Sequence, residues 1–333
     1  MIRSWLGLAV IACGCFLCGC QPSSDSTDTW LLVSFEKDVP VTYSMVAERH
    51  TEIDLTSGSG RESRPQQMTE KLEVVMVYTP VEVDPFGLTT LKATCKSVKV
   101  TRSNFSGREN AADTMENLAG QSFTLQLTPT GQIHDNSDFQ RIVRDLGEKA
   151  FSTGPNNMRV KNPDMISDFL AMQQFLWDAG ATISNQLDLE VGDTWQAQQT
   201  IAWPTPMYPP PARMTSYTLE EIVQDPTLQD APREAVITSS YTLSETPMAE
   251  YIKPYEEGRF QMRGLFGFLR NYQFKELKGS GRQVFNIDDG LIESDRQEYQ
   301  MDVTASFMLP LGDSVPVLDV KQTFTIERIE DGS

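Results

Sequence analysis

Histidine is almost missing from this chain. Among 333 residues there are two, His50 and His134. Neither stands in an H-E-x-x-H stretch or a Cys/His cluster, the patterns that bring imidazoles together on a metal. His50 falls in AERHTEID, which reads as a strand, and His134 in GQIHDNSD, just before a helix. Both read as ordinary surface or partly buried residues. A G-x-S-x-G elbow is also lacking, so the local signature of a serine hydrolase is absent. Basic residues are scarce, 28 against 46 acidic ones, for a net charge of −18. That balance excludes nucleic acid as a partner, because such binding needs basic patches that displace counterions. It also works against general attraction to anionic headgroups. No apolar run approaches the roughly 20 residues of a spanning helix. No cofactor or metal motif is present. NIDDGLIESD, from Asn286, lacks the D-x-D-x-D-G spacing and closing Glu of a calcium loop and reads as a hairpin turn.

Cysteine is scarce beyond residue 20, where only Cys95 occurs, yet CGCFLCGC packs Cys13, Cys15, Cys18 and Cys20 into eight positions. Zinc ligands come as pairs spaced about two to four residues apart, with a second pair further on. These pairs are one residue apart, with no Asp, Glu or His among them, and their flanks are apolar: Leu6, Leu8, Val10, Ile11, Phe16 and Leu17. Arg3 at the start, an apolar core and small residues at its end describe a secretory signal peptide. Leu17-Cys18-Gly19-Cys20 resembles the bacterial lipobox, with Cys18 where Ala, Ser or Thr is commoner. The resemblance implies cleavage before Cys20, a diacylglycerol on its sulfur and a palmitate-like acyl group on its amine. Residues 1–19 are then the leader, and 20–29, polar and small, a flexible tether. The processed chain keeps 27 basic residues against 46 acidic ones. Its one free thiol, Cys95, shares a strand face with Leu91 and Ala93 and is expected to be a buried small hydrophobe. With no internal disulfide available, stability must come from a core, which a chain of this length can build.

Period-two alternation dominates the remainder. Val41, Tyr43, Met45 and Ala47 share one face; so do Leu72, Val74, Met76 and Tyr78; so do Tyr299, Met301, Val303, Ala305 and Phe307. LDVKQTFTI repeats the pattern with Leu318, Val320, Phe324 and Ile326. About a dozen such strands, each with one apolar side, suit antiparallel sheets resting on a core. Tight hairpins are expected at Pro129-Thr130-Gly131, Gly279-Ser280-Gly281 and Asp289-Gly290. Two helices interrupt the strands. NSDFQRIVRDLGEKAF places Phe139, Ile142, Val143 and Leu146 on one face, capped at Asn136 or Ser137. NPDMISDFLAMQQFLWDAG starts at Asn162-Pro163, ends at Gly180 and lines Met165, Ile166, Phe169, Met172 and Leu176 along one face. The fold class is therefore mainly β (α+β): long antiparallel strands in curved sheets, with a strand-rich half over 30–188, a second over 189–333, and two amphipathic helices between them. Irregular stretches at 56–67, 203–213 and 245–258 read as exposed loops.

LTPTGQI at 127–133, LEVGDTW at 189–195 and DDGLIESD at 288–295, with the lipobox, resemble a family of bacterial envelope lipoproteins of planctomycete type. The resemblance covers most of 30–330. It implies strand-rich halves, a turn at Gly192-Asp193 opening the second half, and no catalytic residue, since that family has no established activity. The architecture is also similar to the half-barrels of LolA/LolB-type lipoprotein carriers, at the level of fold alone.

These observations lead to an envelope lipoprotein anchored to a bacterial membrane through lipid on Cys20 and facing the periplasm. Gln21, not Asp, follows that cysteine, which by the enterobacterial sorting rule favours the outer membrane. The expected role is a non-enzymatic binding or scaffold module, with lipid or another hydrophobic ligand as a candidate partner. The alternative is a hydrolase working through carboxylates. One stretch stands out as a candidate contact site. RFQMRGLFGFLRNYQFK, 259–275, carries four cations and no acid, interleaved with aromatics. Phe260, Arg263, Phe266, Phe268 and Arg270 would form an apolar-basic lip for lipid headgroups or an acyl chain. The same pattern also fits a strand that buries its rings and shows its cations to an acidic surface.

Overall fold

In VTYSMVAERHTEID every second side chain is withdrawn from solvent: Tyr43, Met45, Ala47, Arg49, Thr51 and Ile53. The computed structural model describes residues 31–56, 65–103, 112–177, 189–224, 231–308 and 314–330. This first strand, β1 (Val41–Asp54), is followed by β2 (Gln66–Val83), β3 (Thr89–Ser103), β4 (Ser122–Leu127) and β5 (Ile133–Asp135). Then come α1 (Ser137–Lys149), β6 (Phe151–Thr153), β7 (Arg159–Lys161) and α2 (Ile166–Leu176). The second half contains β8 (Thr194–Thr200), β9 (Ala212–Val223), β10 (Glu234–Leu243), β11 (Gln261–Met262), β12 (Leu269–Asn286), β13 (Leu291–Phe307) and β14 (Val317–Ile329).

The two halves share one sheet. Eleven strands run in the order β5-β4-β3-β2-β1-β14-β13-β12-β10-β9-β8, every neighbour antiparallel. The halves join where β1 meets β14, in unbroken register from Thr42↔Ile329 to Asp54↔Val317. A three-stranded sheet, β11-β7-β6, adds a second link, because β11 of the later half lies parallel to β7 of the earlier one. The large sheet is strongly curled. Val33 N donates to Pro129 O in the β4–β5 turn (2.8 Å), and the next residue, Ser34, donates to Gly290 O in the β12–β13 turn (3.1 Å). In a flat sheet those turns, six strand positions apart, would be separated by about 29 Å. Residues 31–40 thus cross the end of a half-closed barrel.

The barrel's interior is filled. On α1, Phe139, Ile142, Val143 and Leu146 face inward while Arg141 pairs with Asp138 and Asp145 outside. Asp138 also accepts from Thr124 N of β4 (2.9 Å). Helix α2 lies against β1 and β14 and is buried on nearly every side: besides the expected apolar face, Asp168, Ala171, Gln173 and Phe175 are withdrawn from solvent. It also begins later than its sequence pattern predicts. Asn162 donates its backbone N–H to Ala150 O (2.8 Å), and Asp164 Oδ1 accepts from Ile166 N (3.3 Å), so the first helical residue is Ile166. The expected end at Gly180 lies outside the described residues.

The hairpins at Gly131 (φ +79°) and Gly290 (φ +69°) are present, as is the turn at Gly192 (φ +100°) before β8. Gly279-Ser280-Gly281 is not a turn; β12 runs straight through it. The glycines serve a close approach. A Cβ on Gly281 would stand 2.1 Å from the Tyr241 hydroxyl, and one on Gly279 2.3 Å from Glu298 O. Cys95 is fully buried on β3 with Leu91 and Ala93.

Candidate functional site

Curling brings the two free edges of the large sheet to opposite sides of one cavity of ≈ 670 Å³. Edge strand β5 contributes Ile133 and His134, and edge strand β8 contributes Ala197 to Thr200. Helix α2 supplies Ser167, Leu170 and Gln174 between them, and α1 supplies Phe139 and Gln140. The opposing wall is the pair of irregular segments that carry Trp203, Met207 and Tyr208, and Tyr251, Ile252 and Tyr255. Proline sets the first of these segments apart from the strands around it: in WPTPMYPPPAR the repeated loss of backbone N–H prevents sheet pairing.

Most polar groups at the cavity are already committed. Gln174 Oε1 accepts from Thr200 N (3.2 Å), fastening α2 to the β8 edge. Gln173 Oε1 accepts from the Tyr78 hydroxyl (2.8 Å), and Gln198 Nε2 donates to Thr246 O (2.7 Å). Lys161 and Asp164, both buried, form an ion pair. Tyr208 stacks on Tyr251 with centroids 5.8 Å apart and planes 12° apart. Burial pushes the Tyr208 phenol up to about 12, so it stays neutral across physiological pH. The remaining acid at the cavity, Glu250, is exposed. A lining that mixes rings and apolar side chains with many uncharged amides and hydroxyls suits an amphipathic molecule. Among the described residues no group of three His, Cys, Asp or Glu is placed to hold a metal ion, and no helix is long and apolar enough to cross a membrane.

The residues singled out in 259–275 do not form one surface. Phe260 is half-buried, edge-on to Phe151 and to the cavity residue Tyr255 (centroids 5.4 and 5.8 Å). Phe266 is buried behind another cavity residue, Trp203 (6.5 Å). Arg263 has an exposed side chain, and its backbone N–H donates to Lys161 O (2.8 Å), extending β11 beside β7. Phe268 is exposed, and Arg270 donates to Leu269 O (2.6 Å). Tyr272 and Phe274 also lie edge-on to Trp203 (5.4 and 5.0 Å), so four of the stretch's five rings pack behind cavity residues and Phe268 turns outward. The lipid-attachment candidate Cys20 lies outside the described residues.

The alternation pattern hid a second feature. Several inward positions carry polar groups, and these meet inside the barrel. Arg49 donates from Nε and Nη2 to Glu70 Oε2 (3.0 and 2.6 Å) and from Nη1 to both Asp168 oxygens (3.2 Å). Arg102 donates to Glu70 Oε1 (2.7 Å) and pairs with Asp113. Gln322 Nε2 donates to Asp168 Oδ1 (2.8 Å). Burial opposes the charge on Glu70, but Arg49 and Arg102 outweigh it and hold its pKa below the usual range. In the other half Arg213, wholly buried, donates from Nη2 to Gln199 Oε1 (2.9 Å) and to Gln297 Oε1. Rings of Tyr241, Phe175 and Tyr299 surround its guanidinium at 4.0, 4.6 and 5.0 Å. For Arg49 and Gln322 the available signal was a polar residue at an inward slot, as with Gln322 between Val320 and Phe324. Arg213 falls in the 203–213 stretch expected to be an exposed loop, yet Trp203 and Thr205 are buried and Arg213 lies inward on β9.

No protein-family model and no curated protein sequence matches the chain. Among the solved structures that align with it, two cover most of the chain. One is of lipid–protein interactions in lipovitellin, with TM-score 0.42 and 9% identity, covering 90% of this chain. The chain spans only 26% of that lipovitellin chain. The other is OccAB4 of Acinetobacter baumannii, with TM-score 0.19 and 9% identity, covering 92% of this chain and 99% of that one. Scores this low assign neither a fold family nor a ligand.

Proposed function

We propose that this is a lipid-anchored envelope protein and a non-enzymatic binding module, whose cavity between the two sheet edges takes an amphipathic ligand with an apolar body and uncharged polar groups. The observation that carries the reading is the cavity itself. Among the described residues, α1, α2 and the inward side chains fill much of the barrel interior, whereas the space between β5 and β8 stays open and is lined by rings and uncharged polar side chains. The ligand's apolar part would lie against Leu170, Trp203 and Met207, and its polar groups would meet amides at the margin. Of the two acids at the cavity, Asp164 is tied to Lys161 and Glu250 faces solvent, so the site offers a hydrolytic carboxylate pair little support.

The test is co-purification. Full-length protein and a Ser167→Trp variant, which fills the cavity, are carried through identical detergent exchange, extracted with solvent and compared by mass spectrometry. A small molecule retained by the parent and lost from an equally stable variant supports the reading. Identical extracts from both refute the cavity as the site.

A further inference from the structure

The large apolar side chains left exposed are unevenly distributed. Among the described residues there are eleven, and seven lie at one end of the large sheet. That end is formed by the β2–β3, β4–β5, β12–β13 and β9–β10 connections and by the start of β1 and β8. Phe86 at the β2–β3 tip is 87% exposed, with Val39 and Val81 beside it at 45% and 39%; Val191, Ile222 and Val223 continue the rim, with Leu32. Phe86 is held outward by a defined turn. Asp84 Oδ1 accepts from both Phe86 N and Leu88 N (2.8 Å each), and Gly87 takes φ +87° against Pro129.

The same end receives the N-terminal segment. Residues 33, 34 and 38 hydrogen-bond to Pro129, Gly290 and Pro80, all at these strand ends. Leu31 follows Cys20 by eleven residues, a contour of at most about 40 Å. The opposite end, with Phe268, lies further off, since the fourteen residues of β1 alone span about 45 Å. Acids outnumber cations at the apolar rim: Glu36, Asp38, Glu82, Glu220 and Glu221 are exposed beside it, against Lys37 and an Arg233 that is paired with Asp288.

We infer that this end of the barrel rests on the bilayer to which Cys20 is anchored, with Phe86, Val39 and Val81 in the headgroup region of uncharged or zwitterionic lipid, and with the 259–275 stretch facing away. The inference rests on the lipid-anchor reading but not on the cavity. The apolar rim lowers the cost of holding the body against the interface. The surrounding carboxylates disfavour anionic lipid at low salt, where they are least screened.

The experiment uses the full-length, lipidated protein in phosphatidylcholine vesicles containing a lipid-borne quencher. Phe86→Cys and Phe268→Cys variants are each labelled with a small fluorophore; the native Cys95 is buried. Quenching is expected to be at least three-fold greater at position 86 than at 268, and to fall when phosphatidylglycerol replaces phosphatidylcholine at low salt. Adding Val39→Asp and Val81→Asp should at least halve quenching at 86 while the protein still floats with vesicles. Equal quenching at the two positions, or no response to the added acids, overturns the proposal. Failure of the parent to float overturns it too and, unlike the other outcomes, removes the lipid anchor with it.

Discussion

Among the described residues each half of the barrel buries one arginine on the inner face of the sheet, and the two are stabilised in different ways. Arg49 on β1 meets carboxylates from β2 and α2, so it joins strand to strand and sheet to helix. Arg213 on β9 meets amide oxygens and aromatic rings. A buried ion pair in a low-dielectric interior is held tightly once formed, and breaking it leaves a bare charge. An arginine among amides and rings has weaker, shorter-range support, and its loss strands neutral groups and removes a cation that favours the ionised form of the nearby Asp295. The first arrangement fixes where α2 lies. The second ties β9 to β8 and β13 through amides and touches α2 only through the ring of Phe175.

The largest expected effect comes from breaking the charged arrangement. Arg49→Met leaves Asp168 with Gln322 as its remaining described partner and Glu70 with Arg102, so chemical denaturation should show a loss of about 3–5 kcal/mol. A loss below about 1 kcal/mol would mean that α2 is held in place without the Arg49–Asp168 pair, by its apolar packing and the amide contacts of Gln173 and Gln174.

A pH effect belongs to the side around Arg213. Asp295, which accepts from Gln297 Nε2 (2.7 Å), is wholly buried, and burial pushes its carboxyl up to about 6. A carboxyl whose folded pKa is raised binds its proton more tightly in the folded state. Its contribution is therefore present at acid pH and lost as pH rises from about 4 through 6, by up to about 3 kcal/mol. Asp295→Asn should remove that decline, so the variant gains on the parent between pH 4 and 8. Parallel stability profiles for the two proteins would contradict it.

Arg213→Met should cost less than Arg49→Met, about 1–3 kcal/mol, because Gln199 and Gln297 lose a donor without being left charged, and Asp295 loses a nearby cation but keeps Gln297 as a donor. Equal losses at the two arginines would erase the distinction between the halves. The smallest effect is at Cys95, where burial pushes the thiol up to about 11. Cys95→Ala should change stability by about 1 kcal/mol or less, and a bulky maleimide should label the native protein only as fast as it opens. Rapid labelling under native conditions would place this thiol at the surface.

Alternation in the sequence determined which side of each strand faces the core, because side chains in an extended chain point to opposite faces and apolar ones must leave water. Helix existence was equally legible: Phe139, Ile142, Val143 and Leu146 recur at helical spacing whatever they touch. The start of α2 was not legible, since Asn162 and Asp164 are used by partners from other elements. Nor was the role of Gly279 and Gly281, whose missing Cβ atoms matter only because Tyr241 and Glu298 stand beside them. Trp203 and Tyr208 could be read as a proline-broken loop, but not as a cavity wall, which exists only when β5 and β8 approach from opposite ends of an eleven-strand order. Arg49 and Asp168 are 119 residues apart. Each reads locally as a polar residue at an inward position. Only the closed chain could decide that they meet, because a buried charge is tolerated where an opposite charge is delivered to it, and that delivery depends on strand register and the placement of α2, properties of the whole fold.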